Sequence, residues 1–239
     1  IERREYTQQL EDTVKARTRE LRETHEEMTL RLVRACCFRD QETGAHIRRV
    51  GLLSGELARL CGWPNELVDR IRVAAPLHDI GKTAVPDEIL CKPGRFTDAE
   101  FSIMKAHSTI GARLLDDARS PVLRMAREIA LSHHERWDGT GYPQALAGLA
   151  IPESARIVAV ADVFDALSHD RVYRPAFPQN KVIEMLTEGS GTQFDPEILE
   201  CFLTNLTLME EISQQNPDDD DLTEPSSEEP EETATEVHV

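Results

Sequence analysis

The tightest constraint on this chain is a His-Asp pair at the inner end of an apolar run: Ala74-Ala75-Pro76-Leu77 leads into His78-Asp79, and Ile80-Gly81-Lys82 follows. An imidazole and a carboxylate carried into a core are costly unless they are paired or coordinate a metal. The fold must therefore bring partners to them. Six of the eight histidines fall between His46 and His169, in apolar or glycine-bounded contexts. His107 stands alone on a segment of helical pattern, His133-His134 closes another, and Asp162 sits inside an apolar run. Glu42 and His46 are four apart and would share one helical face, although Gly44 between them weakens the local helix. Read singly, each histidine is an ordinary hydrogen-bonded residue. As a set, several buried imidazoles need a common explanation. Imidazole and carboxylate without thiolate form the donor set of a site for two or more divalent first-row metals such as Fe or Mn. His25 and His238 lie outside the body and His169 within it, and all three read as ordinary polar residues.

The rest of the chain is punctuated by helix signals. Residues Ile1 to Arg34 hold no Gly or Pro and balance eight acidic against eight basic side chains, which predicts one long helix. Leu10, Val14, Leu21, Met28 and Leu32 form an apolar seam, interrupted at the alternate core positions by Arg17, Thr24 and Arg31. A weak coiled coil or signalling helix fits that pattern, and so does a first helix packed on its own domain. In the body, Pro64-Asn65 marks a start, Thr97-Asp98-Ala99-Glu100 is a capping box, and Ser120-Pro121 and Asp195-Pro196 each set a cap residue before a Pro at the first helical position. Ile157 to Ala161 has strand propensity, but its continuation Asp162-Val163-Phe164-Asp165-Ala166-Leu167 favours a helix. The expected fold class is all-α.

Charge sharpens the division. The formal net charge is −17, yet Pro217 to Val239 carries ten acidic residues and no Lys or Arg, leaving −7 on the remainder. That segment has three prolines and no aromatic or apolar periodicity, so a disordered acidic tail is expected. The acidic balance argues against a DNA binder, whose footprint is a basic patch. No apolar run approaches a bilayer span. Five cysteines without a Cys-x-x-Cys pair predict reduced thiols in a cytoplasmic protein. The absence of an initiator Met and of a leader points to a fragment of a longer soluble protein.

His78-Asp79-Ile80-Gly81-Lys82 resembles the signature of the HD superfamily of metal-dependent phosphohydrolases. His133-His134-Glu135-Arg136-Trp137-Asp138-Gly139-Thr140-Gly141-Tyr142-Pro143 resembles the defining stretch of its HD-GYP branch. Ile151 to Ile157, Ala161 to Leu167, Asp170-Arg171-Val172-Tyr173-Arg174 and Phe194-Asp195-Pro196 extend the likeness from about Leu30 to Phe202. The resemblance implies an HD-domain helical bundle over residues 35–213, preceded by a linker or coiled-coil helix over 1–34 and followed by the tail over 214–239. It implies hydrolysis of cyclic di-GMP to the linear dinucleotide and, in many members, onward to GMP. It implies metal ligands at His46, His78, Asp79, His107, His133, His134 and Asp162, with Glu42 at the acidic position used by members with a third metal.

Carried over further, the resemblance makes Asp79 the bridge between cations, places Lys82 at the scissile phosphate, and gives Arg171 and Arg174 contacts to substrate phosphate or guanine. The loop Gly139 to Pro143 would border the site and serve as a contact surface for other signalling proteins. Asp138 and Asp165 have a catalytic reading, outweighed by one as helix caps or structural hydrogen-bond acceptors. Ser108 and Ala145 depart from the usual Pro and Gly, and Ser168-His169 and Val172 are milder variants; none removes a ligand. The alternatives are a cyclic di-GMP receptor with little hydrolysis and a hydrolase of another cyclic dinucleotide such as 3′,3′-cyclic GMP-AMP. An upstream receiver or sensor domain and a homodimer through the first helix are further expectations.

Overall fold

Where the sequence places caps, helices begin. A computed structural model describes residues 2–36, 43–170 and 175–218. Among the described residues ten α-helices follow in order: α1 Glu2–Cys36, α2 Gly44–Leu60, α3 Asn65–Ala74, α4 Asp87–Leu90, α5 Asp98–Leu114, α6 Pro121–Ser132, α7 Glu153–Ser168, α8 Gln179–Glu188, α9 Pro196–Thr204 and α10 Leu206–Gln214. Short 3-10 turns span Ala75–Leu77, Ile80–Ala84 and Gly148–Ala150. Among the described residues extended pairing is limited to two isolated bridges, so the body is helical as expected.

Local chemistry sets the boundaries. Thr97 closes the capping box of α5, its hydroxyl accepting from the Glu100 amide while the Glu100 carboxylate accepts from the Thr97 amide. Asp195 caps α9 by accepting from the Glu197 amide at 2.9 Å. Ser120 occupies the corresponding place before α6 but makes no side-chain capping bond, so Pro121 alone marks that start.

The core forms where α2 and α7 meet. Ile47, Val50, Leu53, Leu57 and Ala58 of α2 are buried against Ile157, Val158, Val160, Ala161 and Phe164 of α7, and Phe164 meets Phe202 of α9 edge-on at 4.9 Å. Burial of α7 on nearly every side explains why Ile157 to Ala161 reads as strand-like: the segment is apolar all round because helices surround it. Each fully buried aliphatic side chain contributes about 1.5–3 kcal/mol.

α1 is one continuous helix, and only its last turns join the body, through buried Val33 with Leu30 and Cys36 beside it. Its apolar seam remains uncovered, with Leu10, Val14, Leu21, Met28 and Leu32 between 48% and 63% exposed. The acidic segment beyond Asp218 lies outside the described residues, as do Glu42, Arg171 and Arg174. Cys36, Cys61, Cys91 and Cys201 are free thiols. No helix among the described residues is long and apolar enough to cross a membrane.

The turn after His78-Asp79 is seated by glycine. A Cβ on Gly81 would collide with the His107 carbonyl and the Gly111 amide, so the 3-10 turn reaches α5 only without a side chain there. Gly81→Ala is expected to destabilise the chain by about 3 kcal/mol, read as a lower urea midpoint, because backbone rather than a flexible side chain must move.

Candidate metal centre

Four histidines, His46, His78, His107 and His133, enter the site with Nδ1 already committed. His78 Nδ1 lies 2.9 Å from the Ala75 carbonyl, His107 Nδ1 2.7 Å from that of Met104, and His133 Nδ1 3.1 Å from those of Ile129 and Ala130. A carbonyl oxygen only accepts, so Nδ1 carries the proton and Nε2 presents a lone pair. Helical spacing produces this arrangement, since the accepting carbonyls are three or four residues upstream. His46, in the first turn of α2, has no helical turn upstream. Its Nδ1 instead lies 2.7 Å from the carboxylate of Asp165 on α7.

These Nε2 atoms converge on carboxylates. His107 and His133 Nε2 lie 3.1 and 3.4 Å from Asp79 Oδ1, and 3.4 Å from one another. His78 Nε2 is 3.3 Å from Asp79 Oδ2 and 3.9 Å from Asp162 Oδ1, while His46 Nε2 is 3.5 Å from the same Asp162 oxygen. Two donor groups result: Asp79, His107, His133 and His134, and beside it His46, His78 and Asp162. Asp79 faces both, with one oxygen toward each.

The residues fit divalent metals. Neutral imidazole lone pairs aimed at a buried carboxylate repel one another unless a cation lies between them. Donors held about 2.1 Å from one first-row ion are about 3.0–3.4 Å apart, the spacing found around Asp79 Oδ1. Protonation of His133 or His134 does not supply the missing charge, because burial pushes His133 below its usual pKa and His134 well below it. Burial would raise the Asp79 carboxyl, but the Lys82 ammonium, 2.9 Å from Oδ2, holds it well below the usual carboxylate range.

His46, His78, Asp79, Lys82, His107, His133, His134 and Asp162 therefore come together, whereas Glu42, Arg171 and Arg174 fall outside the described residues. A cleft of about 430 Å³ opens on the cluster, lined by Phe101, Lys105, His134, Tyr142, Asp162 and Gln193 among others. The Tyr142 ring stacks on His134 at 4.7 Å, and Lys105 Nζ lies 5.8 Å from the Tyr142 centroid.

The loop carrying Tyr142 is tied down at two points. The buried Glu135 carboxylate accepts from the amides of Gln144 and Leu146 at 2.7 and 3.0 Å. A Cβ on Gly141 would strike the backbone of residues 134–136. The Tyr142-Pro143 peptide is cis. Ala145, where glycine is usual, takes a positive φ of 53°, which costs an alanine about 1 kcal/mol. Asp138 is a structural acceptor, bonded by the amide and hydroxyl of Thr140 at 2.9 and 2.6 Å.

Sequence reasoning passes over Arg49 and Glu135 and leaves Asp165 undecided. Their signal is spacing: Asp165 is three residues after Asp162 and Arg49 three after His46, so each shares a helical face with a candidate ligand.

Comparison with known proteins agrees with this geometry. The pattern described as "HD domain" matches residues 11–198. A Thermotoga maritima protein named cyclic di-GMP phosphodiesterase is 46% identical over 183 residues, covering 77% of this chain and 50% of that protein. A Vibrio cholerae protein named 3′3′-cGAMP-specific phosphodiesterase 2 is 44% identical, covering 77% of this chain and 35% of that one. The chain thus spans half or less of the length of these curated relatives. A solved structure of an HDG"Y"P protein from Bdellovibrio bacteriovorus superposes with a TM-score of 0.57 at 19% identity, covering 79% of this chain and 64% of that one, which shows the likeness of fold.

Divalent metal should stabilise this chain. Saturating Mn(II) is expected to raise the melting temperature of metal-stripped protein by about 5–10 °C, as binding to the folded state alone requires. The rise should shrink in His107→Ala. Equal melting curves with and without Mn(II) would show that the cluster holds no metal.

Proposed function

The chain belongs to the HD-domain family, and from that premise we propose that it is a metal-dependent phosphodiesterase that opens cyclic di-GMP to linear pGpG. The observation that carries this reading is the paired donor set sharing Asp79, with a lysine on the bridging carboxylate and an aromatic-walled cleft beside it. His46, His78 and Asp162 would hold one cation and Asp79, His107, His133 and His134 another, with Glu42 available to a third. The nitrogen and oxygen donors favour Fe or Mn.

When bound, such cations lower the pKa of water and neutralise charge on phosphate oxygens. The chain's own part is orientation. Carbonyls of the 3-10 turn Ala75–Leu77, of α5 and of α6 fix the rings of His78, His107 and His133, and Asp79 presents one oxygen to each donor group. Lys82, whose ammonium is 2.9 Å from Asp79 Oδ2, would neutralise charge developing on the scissile phosphate. Arg171 and Arg174 would hold the second phosphate or a guanine. Tyr142 and His134 offer ring faces to a base, and burial keeps the Tyr142 hydroxyl protonated. With −7 on the body, attraction of an anionic substrate is local to this cluster rather than a property of the whole surface.

A second substrate has specific support. Identity of 44% to a protein named 3′3′-cGAMP-specific phosphodiesterase keeps 3′,3′-cyclic GMP-AMP beside cyclic di-GMP. A receptor without hydrolysis is disfavoured because the complete donor set would serve no purpose in it.

Purified anaerobically and supplied with Mn(II) or Fe(II), the chain should convert cyclic di-GMP to linear product, and turnover on both dinucleotides side by side ranks them. Asp79→Ala should abolish turnover and Lys82→Ala should lower kcat by about 10²–10³-fold with metal retained. Wild-type turnover in Asp79→Ala would sink the assignment.

The reading extends to regulation in a cytoplasmic signalling protein. Residues 1–34 would link an upstream receiver or sensor domain to the body over 35–213, and the exposed seam of α1 would pair with a second copy. The Gly139 to Pro143 loop would meet other signalling proteins, and residues 214–239 would form an acidic tail. Sedimentation should show a dimer that Leu21→Glu converts to monomer; a wild-type monomer at high concentration would refute the pairing.

A further inference from the structure

His46 is gripped differently from the other histidines of the centre. The carboxylates of Asp162 and Asp165, three residues apart on one face of α7, address its two ring nitrogens, Nε2 at 3.5 Å and Nδ1 at 2.7 Å. An ionised carboxylate can only accept, so Asp165 fixes the proton on Nδ1 and leaves the Nε2 lone pair directed into the site. It also lends the ring negative charge, raising its basicity as a ligand.

Asp165 is 1% exposed and would be a costly charge if left alone. Arg49, also 1% exposed and one turn beyond His46 on α2, answers it with a fork: Nε lies 2.6 Å from Oδ1 and Nη2 3.1 Å from Oδ2. The remaining nitrogen, Nη1, donates to the segment that follows α10, at 3.1 Å to the Asn216 carbonyl and 3.1 Å to the Asp218 carboxylate. The same Asp218 oxygen accepts from the Thr43 hydroxyl at 2.6 Å, and that hydroxyl caps α2 by accepting from the His46 amide at 3.1 Å. A third link joins Ser213 Oγ to His169 Nε2 at 3.2 Å, while His169 Nδ1 lies 3.3 Å from Asp165 Oδ1. The end of the helical body thus touches both the backbone and the side-chain support of one candidate ligand.

We propose that Asp165 is the positioning residue for His46 and that the segment 216–218 clasps it through Arg49, so that seating of this segment sets how tightly the His46–His78–Asp162 group holds its cation. The inference rests on the reading of His46 as a metal ligand. With the segment unseated, Nη1 loses both acceptors and water reaches the fork. The ring of His46 is then no longer held in one orientation and tautomer. The Asp79–His107–His133–His134 group, in which backbone carbonyls fix the His107 and His133 rings, has no bond to the clasp. The link makes the C-terminal edge of the body a point from which metal occupancy of one half of the centre can be controlled.

Titration of Mn(II) into metal-stripped full chain, with free Mn(II) read by electron paramagnetic resonance, separates the two groups without recourse to turnover. Asp165→Asn is expected to weaken one class of site by about 10–100-fold and leave the other at the wild-type value. Asp218→Asn, at a half-exposed position compatible with folding, should weaken the same class by about tenfold, and Asp218→Glu should restore it. The double variant should be no weaker than Asp165→Asn alone, because the clasp acts through that carboxylate. Unchanged Mn(II) affinity in both single variants, equal weakening of both classes, or additive losses in the double variant would overturn the proposal. A wild-type chain that takes up no Mn(II) would overturn the ligand reading together with it.

Discussion

Everything in the body is arranged around a buried carboxylate faced by imidazole lone pairs. In a medium of low polarity, Asp79 with His78, His107 and His133 turned toward it is an unfavourable assembly unless positive charge enters. Lys82 supplies part of that charge from the adjoining 3-10 turn. The burial that makes the assembly costly also keeps His133 and His134 neutral and therefore fit to coordinate. Chemistry and packing are one constraint here. The rings reach the carboxylate because Gly81 and Gly111 let the turn and α5 approach to backbone contact, and that contact seats Asp79 opposite His107.

Much of this is legible in the sequence because the information is local. Thr97 and Glu100 cap α5 within three residues of each other, and His78-Asp79 announces itself as polar residues at the end of an apolar run. Arg49 is the instructive failure. Arg48 and Arg49 are the same residue type side by side, yet Arg48 is exposed while its neighbour is one of the most buried side chains in the molecule. The partner that decides the difference, Asp165, is 116 residues away. Helical spacing hints at it, but only the packing of α2 on α7 turns that spacing into a contact. Ala145 fails for another reason: its departure from glycine is visible in the sequence, whereas the positive φ that makes the departure costly belongs to a loop pinned by Glu135.

The acidity of the chain changes meaning once its charges are placed. Most of the −17 belongs to the C-terminal segment, yet the first of its acidic residues, Asp218, makes directed bonds to Arg49 and Thr43. Asp79, Asp162 and Asp165 are counted as negative in the same sum, although two face candidate cation positions and the third is neutralised by a guanidinium fork. Net charge describes a surface, and these groups are not on it. Acidity consequently disfavours a long nucleic-acid polymer and leaves a small cyclic dinucleotide compatible with the chain.

The two donor groups rest on different supports. His107 and His133 come from α5 and the end of α6, oriented by carbonyls of their own helices, and His134 follows with its ring against Tyr142. His46 and Asp162 come from α2 and α7, and the orientation of His46 is delegated to side chains. The last turn of α1 reaches the same region: the Arg34 side chain lies over Gly44 at the start of α2, where any Cβ would meet it, and Val33 is buried in the adjoining core. The turn that carries His46 thus lies between the last turn of α1, through Arg34 over Gly44, and the segment after α10, through the Asp218–Thr43 bond. Both meet beside a histidine whose ring is oriented by a side chain and not by backbone.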